Sequence, residues 1–274
     1  MQNDRNLLVN HISEKAFVTL PFYRDGKPLD SARWGITLRK AGSMRFRWNE
    51  VNERRTSLLK EICGDKEAVS LELIHSKIVY DLTSASDTHE KKGDGMISVN
   101  HSLVPVVTVA DCMPLYLYEP ETGLFGVCHS GWKGTGIIAE AISLAEKKYA
   151  VRRENISVAI GPHIHDCCYI VDQERARYFT ENFTPACVSR KIAKDGREEY
   201  HLSLVKANLA LLEQAGIRSE NIVLAKECTS CSQDAGGDFP FGSFRRQAAF
   251  AAGNLTTEER SKMMTVQAAF CICL

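Results

Sequence analysis

The stretch from Val104 to His129 constrains this chain more than any other. It holds three short apolar runs, Val104-Pro-Val-Val-Thr-Val-Ala110, Leu115-Tyr-Leu-Tyr118 and Leu124-Phe-Gly-Val-Cys128, each of strand length and bounded by turn residues. Only Glu119-Pro-Glu-Thr-Gly123 separates the last two, too short a link for a parallel crossover, so they form an antiparallel hairpin. With a turn over Glu119 to Thr122, Tyr118 faces Gly123 and Cys112 falls directly opposite His129. Opposed residues share a face with Cβ atoms roughly 4.5–5.5 Å apart, a workable separation for two ligands of one metal ion. Pro114 introduces irregularity at that end of the pairing.

The flanking pattern is mixed. Ile137, Ile138, Ala141, Ile142 and Ala145 recur at helical spacing between Gly136 and Tyr149, and Ile156 to Ile160 reads as a buried strand. A later helix runs from Ser203, its N-cap, to Ala215, with Gly216 just past its end. The polar segment Asp87 to Gly95 reads as a surface loop, with Asp94-Gly95 a turn before a strand beginning at Met96. Strands interleave with helices while hairpin links also occur. The expected fold is therefore α/β, an α+β layered sandwich of mixed sheets with hairpins flanked by helices. No repeat, low-complexity tract or linker divides the chain, so residues 1–274 are expected to form one domain.

Lys and Arg number 34 and Asp and Glu 34, so net charge points to neither nucleic acid nor an anionic membrane, and a small-molecule partner is expected. Residues 1–17 lack the basic start and apolar middle of a signal peptide, and no run has the ~18 apolar residues of a membrane span. Ten cysteines are sparse for a disulfide scaffold in a chain this long; they read as thiols in a reducing compartment, and the expected location is cytoplasmic. The oligomeric state is not set by the sequence.

A metal centre built on Cys112 and His129 needs a third ligand, and spacing alone does not choose among His75, His101 and His163. Immediately after His129, Ser130-Gly-Trp-Lys-Gly-Thr135 leads into a helix. Gly131, Gly134 and Thr135 at such a turn, with the charge of Lys133, suit phosphate; a plain tight turn is an equal reading. The spacing is not that of a P-loop, which leaves an ATPase unsupported. Arg245 and Arg246 in Ser243-Phe-Arg-Arg246 offer a second cationic feature for phosphate. Cys228-Thr-Ser-Cys231 has redox or zinc-ribbon spacing, but no second Cys-x-x-Cys partners it. Cys271-Ile-Cys-Leu274 has the shape of a prenylation box without a polybasic stretch and reads instead as a final core strand.

Ala110-Asp-Cys-Met-Pro114, His129-Ser-Gly-Trp-Lys-Gly-Thr135, Gly161-Pro-His-Ile164 with Cys167-Cys-Tyr169, and Ser243-Phe-Arg-Arg246, in that order, resemble the laccase-domain family. Its members were first labelled multicopper polyphenol oxidases and are now described as zinc-dependent purine nucleoside phosphorylases. The resemblance implies His75, Cys112 and His129 as the metal ligands, with Zn2+ expected and copper the lesser possibility. It also implies phosphorolysis of adenosine, inosine and methylthioadenosine, with adenosine deamination as a further activity; purine nucleoside and phosphate are then the partners. Within that reading Asp111, Lys133 and Arg246 are the catalytic candidates. Phosphate and substrate would meet Gly131, Lys133, Gly134, Thr135, Arg245, Arg246 and Arg54. The chain departs from the family in Leu73-Ile-His-Ser76, which lacks the usual Gln and has Ser in place of Gly. It departs again near the N-terminus, where Arg33 to Thr37 replaces a Leu-Asn-Leu-like segment and Glu53-Arg-Arg55 an Asn-Arg pair, leaving Arg54 or Arg55 at the family's arginine position.

Three other classes fit parts of the pattern. A copper-dependent polyphenol oxidase needs several His-x-His pairs, and this chain has one, His163-Ile-His165, among 8 histidines. A cysteine hydrolase with Cys112 as nucleophile and His129 as base uses the same hairpin geometry, and bound zinc would silence it. A non-enzymatic metal or nucleotide binding module would bind without turnover.

Overall fold

The computed structural model describes residues 3–5, 12–251 and 253–274. Much of the N-terminal stretch weighed as a signal peptide, residues 1, 2 and 6–11, lies outside them. In chain order the first elements are strands β1 (Asn3–Arg5), β2 (Phe17–Arg24) and β3 (Lys27–Thr37), helix α1 (Glu53–Cys63), and strands β4 (Glu67–Ser70), β5 (Val79–Leu82) and β6 (Gly95–Ser98). Next come β7 (Leu103–Val109), β8 (Met113–Glu119), β9 (Leu124–Ser130), α2 (Ile137–Tyr149), β10 (Ser157–Ile160), β11 (Ile170–Val171) and α3 (Gln173–Asn182). The chain closes with β12 (Val188–Ile192), β13 (Glu198–Leu202), α4 (Leu204–Gln214), β14 (Ile222–Ala225), α5 (Phe244–Gln247), α6 (Thr257–Lys262) and β15 (Gln267–Cys273).

A 7-stranded mixed sheet, ordered β1-β14-β10-β8-β9-β6-β5, faces a 5-stranded sheet ordered β2-β3-β15-β7-β4; β11, β13 and β12 form a small third sheet. Side chains of both large sheets meet in one core, where Trp34, Phe22 and Ala269 pack with Tyr116, Tyr118 and Phe125. The far face of the 7-stranded sheet carries Leu115, Leu117 and Ile160 under α2, α3 and α4. The far face of the 5-stranded sheet carries Phe270 and Ile272 under α1. This four-layer order explains the unbroken apolar runs. Both faces of β8, β9 and β15 are buried, so hydrophobic residues occupy consecutive positions instead of alternating with polar ones. The α/β sandwich with hairpins and flanking helices is as the sequence predicts, and so are Ser203 as N-cap of α4, Gly216 beyond its end and Cys271 to Cys273 as a core strand.

The register of the β8–β9 hairpin differs from the expected one by two residues. Glu119 pairs with Leu124 and Pro114 with His129, leaving Pro120 to Gly123 as the loop. The cause is the Glu119 side chain. Its carboxylate accepts hydrogen bonds from Glu121 N, Thr122 N and Thr122 Oγ1 at 2.9, 2.8 and 2.6 Å, which builds the turn one residue beyond the strand end. A shift of two preserves side-chain parity, so Cys112 and His129 still address one face although they are no longer directly opposed. The segment 87–95 is also not wholly a surface loop: Asp94 is buried and β6 already starts at Gly95.

Tyr116 anchors the two sheets by donating its buried hydroxyl to Gly35 O at 3.0 Å. Tyr116→Phe keeps the volume and removes that bond, so urea unfolding should show a loss of about 1 kcal/mol; an unchanged midpoint would remove this bond from the account.

Candidate metal centre

Three chain segments converge at one end of the β8–β9 hairpin. His129 is on β9, Cys112 precedes β8, and His75 sits in the loop before β5; one ligand atom of each lies within 4.8 Å of the others. The rings of His75 and His129 are edge to face, with centroids 4.8 Å apart. His129 is buried, Cys112 half-buried and His75 exposed, so the group opens to solvent on the His75 side.

Buried Asp94 organises this arrangement. Its Oδ1 accepts from His129 Nδ1 at 2.8 Å and from His75 N at 3.0 Å. Its Oδ2 accepts from Ser76 N at 2.6 Å and Ser76 Oγ at 2.7 Å. The backbone adds His129 N donating to Asp94 O at 2.7 Å. With Nδ1 engaged by the carboxylate, Nε2 of His129 is left for a metal. Ser76, where a glycine was expected, thus supplies a hydroxyl bond to Asp94 that glycine lacks. His75 and Asp111 both have left-handed backbone, φ 60° and 81°, an uncommon state for residues with side chains that the surrounding bonds must hold.

Gly131 leaves room for the ligand side chains. A Cβ there would lie 3.0 Å from Cys112 Sγ and 3.1 Å from His75 Cδ2, between two of the ligands. Gly134 packs as closely on Ser76 O, 3.0 Å from the same hypothetical atom, and Thr135 Oγ1 donates to Gly131 O at 3.2 Å. These residues therefore shape the turn that lets the ligand loops approach. Lys133 is exposed, its Nζ 5.3 Å from the centroid of the Trp132 ring.

Asp111 is buried and fully engaged: Oδ1 accepts from Thr229 Oγ1 at 2.7 Å and Oδ2 from Arg245 N at 2.6 Å. The Arg245 guanidinium donates to Ile170 O at 3.1 Å and lies over Tyr169. Arg246 donates to Thr229 O, Ser230 O and Phe241 O, so its fork is spent on backbone carbonyls. Arg54 donates to Ala41 O and Lys40 O; its neighbour Arg55 is buried and donates to Met44 O and Ser70 Oγ. Sequence reasoning missed two residues besides Asp94. Tyr169 lies close to Cys112, Arg175 and Arg245, and Arg175 stacks 4.4 Å above the Trp132 ring with its buried Nε lacking a partner among the described residues. The resemblance motif ending at Tyr169 was the available signal for the first; Arg175, on a polar helix, offered none. His163 and His165 stack on one another at 4.4 Å and join no metal-capable group among the described residues. A cavity of about 580 Å³ beside α1, lined by Phe46, Trp48, Arg55 and His89 among others, includes none of the three ligands.

The electrostatics suit ionised ligands. Burial would push the Cys112 thiol up, but the His129 charge and hydrogen bonds from His129 and His75 outweigh it and bring the thiol down to about 6. Burial would likewise push His129 down, yet Cys112 and Asp94 raise it to about 10. In the metal-free protein the pair is thus thiolate and imidazolium. Its stabilisation is lost on the acid side as Cys112 protonates through about pH 6 and on the alkaline side as His129 deprotonates through about pH 10. Iodoacetamide labelling of Cys112 after chelation should accordingly rise through about pH 6, well below an ordinary thiol, and vanish when metal is restored; a midpoint near 9 would refute the ion pair. Asp94→Asn should weaken metal binding by about 10–100-fold in a chelator competition, and unaltered affinity would deny Asp94 its orienting role.

The family model described as multi-copper polyphenol oxidoreductase laccase matches residues 46–257. Over 143 residues the chain is 32% identical to a Geobacillus stearothermophilus protein named purine nucleoside phosphorylase YlmD, covering 51% of this chain and 52% of that protein. A Clostridium acetobutylicum protein, also named a purine nucleoside phosphorylase, is 31% identical over 193 residues, 69% of this chain and 75% of the other. The solved structure of YlmD from Geobacillus stearothermophilus shares the fold, with a TM-score of 0.73 over 92% of this chain and 96% of that one at 24% identity. The chain thus spans about half the length of some curated relatives and three quarters of another. Because the matched span takes in well over half of the chain and includes His75, Cys112 and His129, the chain belongs to the multi-copper polyphenol oxidoreductase laccase family.

Proposed function

We propose that this protein is a purine nucleoside phosphorylase acting on adenosine, inosine and methylthioadenosine at a zinc centre. The observation that carries the reading is the convergence of His75, Cys112 and His129 beside an arginine stacked on Trp132 and an exposed lysine, in a chain whose relatives are named for that activity. Two imidazoles and one thiolate, with Asp94 behind His129, are a donor set that suits zinc with a coordination position left over. Copper chemistry of the laccase type would call for further clustered histidines, and the described residues form no such group. When bound, zinc supplies a Lewis acid beside the substrate.

The remaining chemistry falls to the chain. Phosphorolysis breaks the C1′–N9 bond and forms a C1′–O bond to phosphate, while the purine leaves with the electron pair and takes a proton. Lys133 and the guanidinium of Arg175, both on the Trp132 ring, with Arg245 across Tyr169, hold the phosphate dianion for that attack. Asp111, with both oxygens engaged by Thr229 and Arg245, sets the position of Arg245 and of the neighbouring Cys112. Arg246 buttresses the Thr229 loop. Adenosine deamination, the proposed side activity, exchanges the C6 amino group for water oxygen at the same centre. Residues 1–274 are read as one catalytic domain working in the cytoplasm.

Purified protein given inosine should release hypoxanthine only with phosphate present and lose that activity on zinc chelation. Arg175→Met should raise KM for phosphate by about 10-fold or more with a smaller effect on inosine. Absence of turnover in zinc-loaded protein would end the inosine assignment. A second reading rests on the Cys112–His129 ion pair, which is also the nucleophile and base of a cysteine hydrolase; hydrolytic activity that survives or increases on chelation would favour it.

A further inference from the structure

The Cys228-x-x-Cys231 motif, discounted in sequence for want of a partner, finds one in space. Strands β10 and β14 lie side by side and parallel, with Ile160 paired to Leu224, so the segments leaving their C-terminal ends run together. A bridge between His163 and Cys228 continues that pairing, and Thr229 N donates to His163 O at 3.0 Å. Cys167 and Cys168 are thereby set against Cys228 and Cys231. All four sulfurs lie within 4.8 Å of one another, with Cys167 Sγ 3.8 Å from Cys168 Sγ and 3.6 Å from Cys231 Sγ. Four sulfurs tetrahedral about zinc at ~2.3 Å stand roughly 3.8 Å apart. All four cysteines are free thiols.

We propose that Cys167, Cys168, Cys228 and Cys231 bind a second zinc ion in a closed, four-thiolate structural site. Binding forms four Zn–S bonds and releases the four thiol protons to solvent, leaving the cluster with a net charge of −2. The surroundings offset that charge. His165 N donates to Cys228 Sγ at 3.4 Å, and the Arg246 guanidinium is anchored on Thr229 O and Ser230 O, the two residues between the cysteines. A turn closed by Ser232 N donating to Cys228 O at 3.0 Å shapes the loop as a metal knuckle. All protein positions being filled, no site remains for substrate, so the role is mechanical. The ion ties the Asp166–Tyr169 turn to the 228–231 loop. Thr229 of that loop holds Asp111, and Tyr169 adjoins Cys168, so the second ion fixes two walls of the first centre. This inference stands whether or not the protein is a phosphorylase.

Metal analysis of the full chain, purified under reducing conditions without chelator, decides the matter. Wild type should carry about two zinc ions per chain and His75→Ala/Cys112→Ala about one. Adding Cys231→Ser to the latter should remove the remainder. Because that last variant could fail to fold, cobalt exchange into His75→Ala/Cys112→Ala provides an independent readout, with the intense thiolate charge-transfer absorption of a four-sulfur site expected. A double variant with no metal and no such absorption overturns the proposal, whether its thiols are free or its mass has dropped by two hydrogens per disulfide. Iron in place of zinc in the double variant overturns the choice of ion.

Discussion

Everything at the candidate metal centre depends on one buried carboxylate. Asp94 sits immediately before β6 with no solvent contact, a position that costs several kcal/mol for an unpaired charge. The cost is offset by the Ser76 hydroxyl, by backbone amides of the His75 loop and by the His129 ring. Burial raises its carboxyl and the His129 and Ser76 bonds more than reverse that, so the group stays charged. One residue thereby joins a loop, a strand and the tautomer of a ligand. The left-handed backbone at His75 follows from it, since two successive amides must turn toward the same carboxylate.

Much of the fold was legible because burial on both faces makes β8 and β9 continuous apolar runs, and because five residues cannot carry a crossover. The register was not legible, since it rests on the Glu119 carboxylate reaching its own turn, a side-chain bond that hydrophobic pattern does not encode. Asp94-Gly95 has the composition of an exposed turn, and nothing local distinguishes the aspartate that is buried as a partner of His129. His75 was a candidate ligand through family resemblance alone; it comes from a loop whose approach is set by Asp94 and by the missing side chain of Gly131.

The arginines illustrate a different difficulty. A pair such as Arg245 and Arg246 reads as two equivalent cations, yet the structure divides them: Arg246 spends its donors on carbonyls, while Arg245 meets Tyr169 and gives its backbone amide to Asp111. Arg175, from the polar helix α3, reaches Trp132 instead. Charge is visible in sequence, but whether a guanidinium is free for an anion depends on which carbonyls the fold brings to it. The cysteines fail in the same way, because the parallel neighbours β10 and β14 join thiols that are distant along the chain.

The two-residue displacement in the hairpin has a consequence for how the protein matures. Strands displaced by two keep every side chain on its own face, so a chain paired in the wrong register can bury nearly the same apolar surface. Hydrophobic collapse therefore cannot discriminate between the two pairings. The Glu119 turn and the His129 N to Asp94 O bond do, and the pairing they select sets Pro114 beside His129. Choice of register thus falls to polar bonds: a misregistered molecule could be compact yet lack the Glu119 turn and the backbone bond that ties His129 to Asp94.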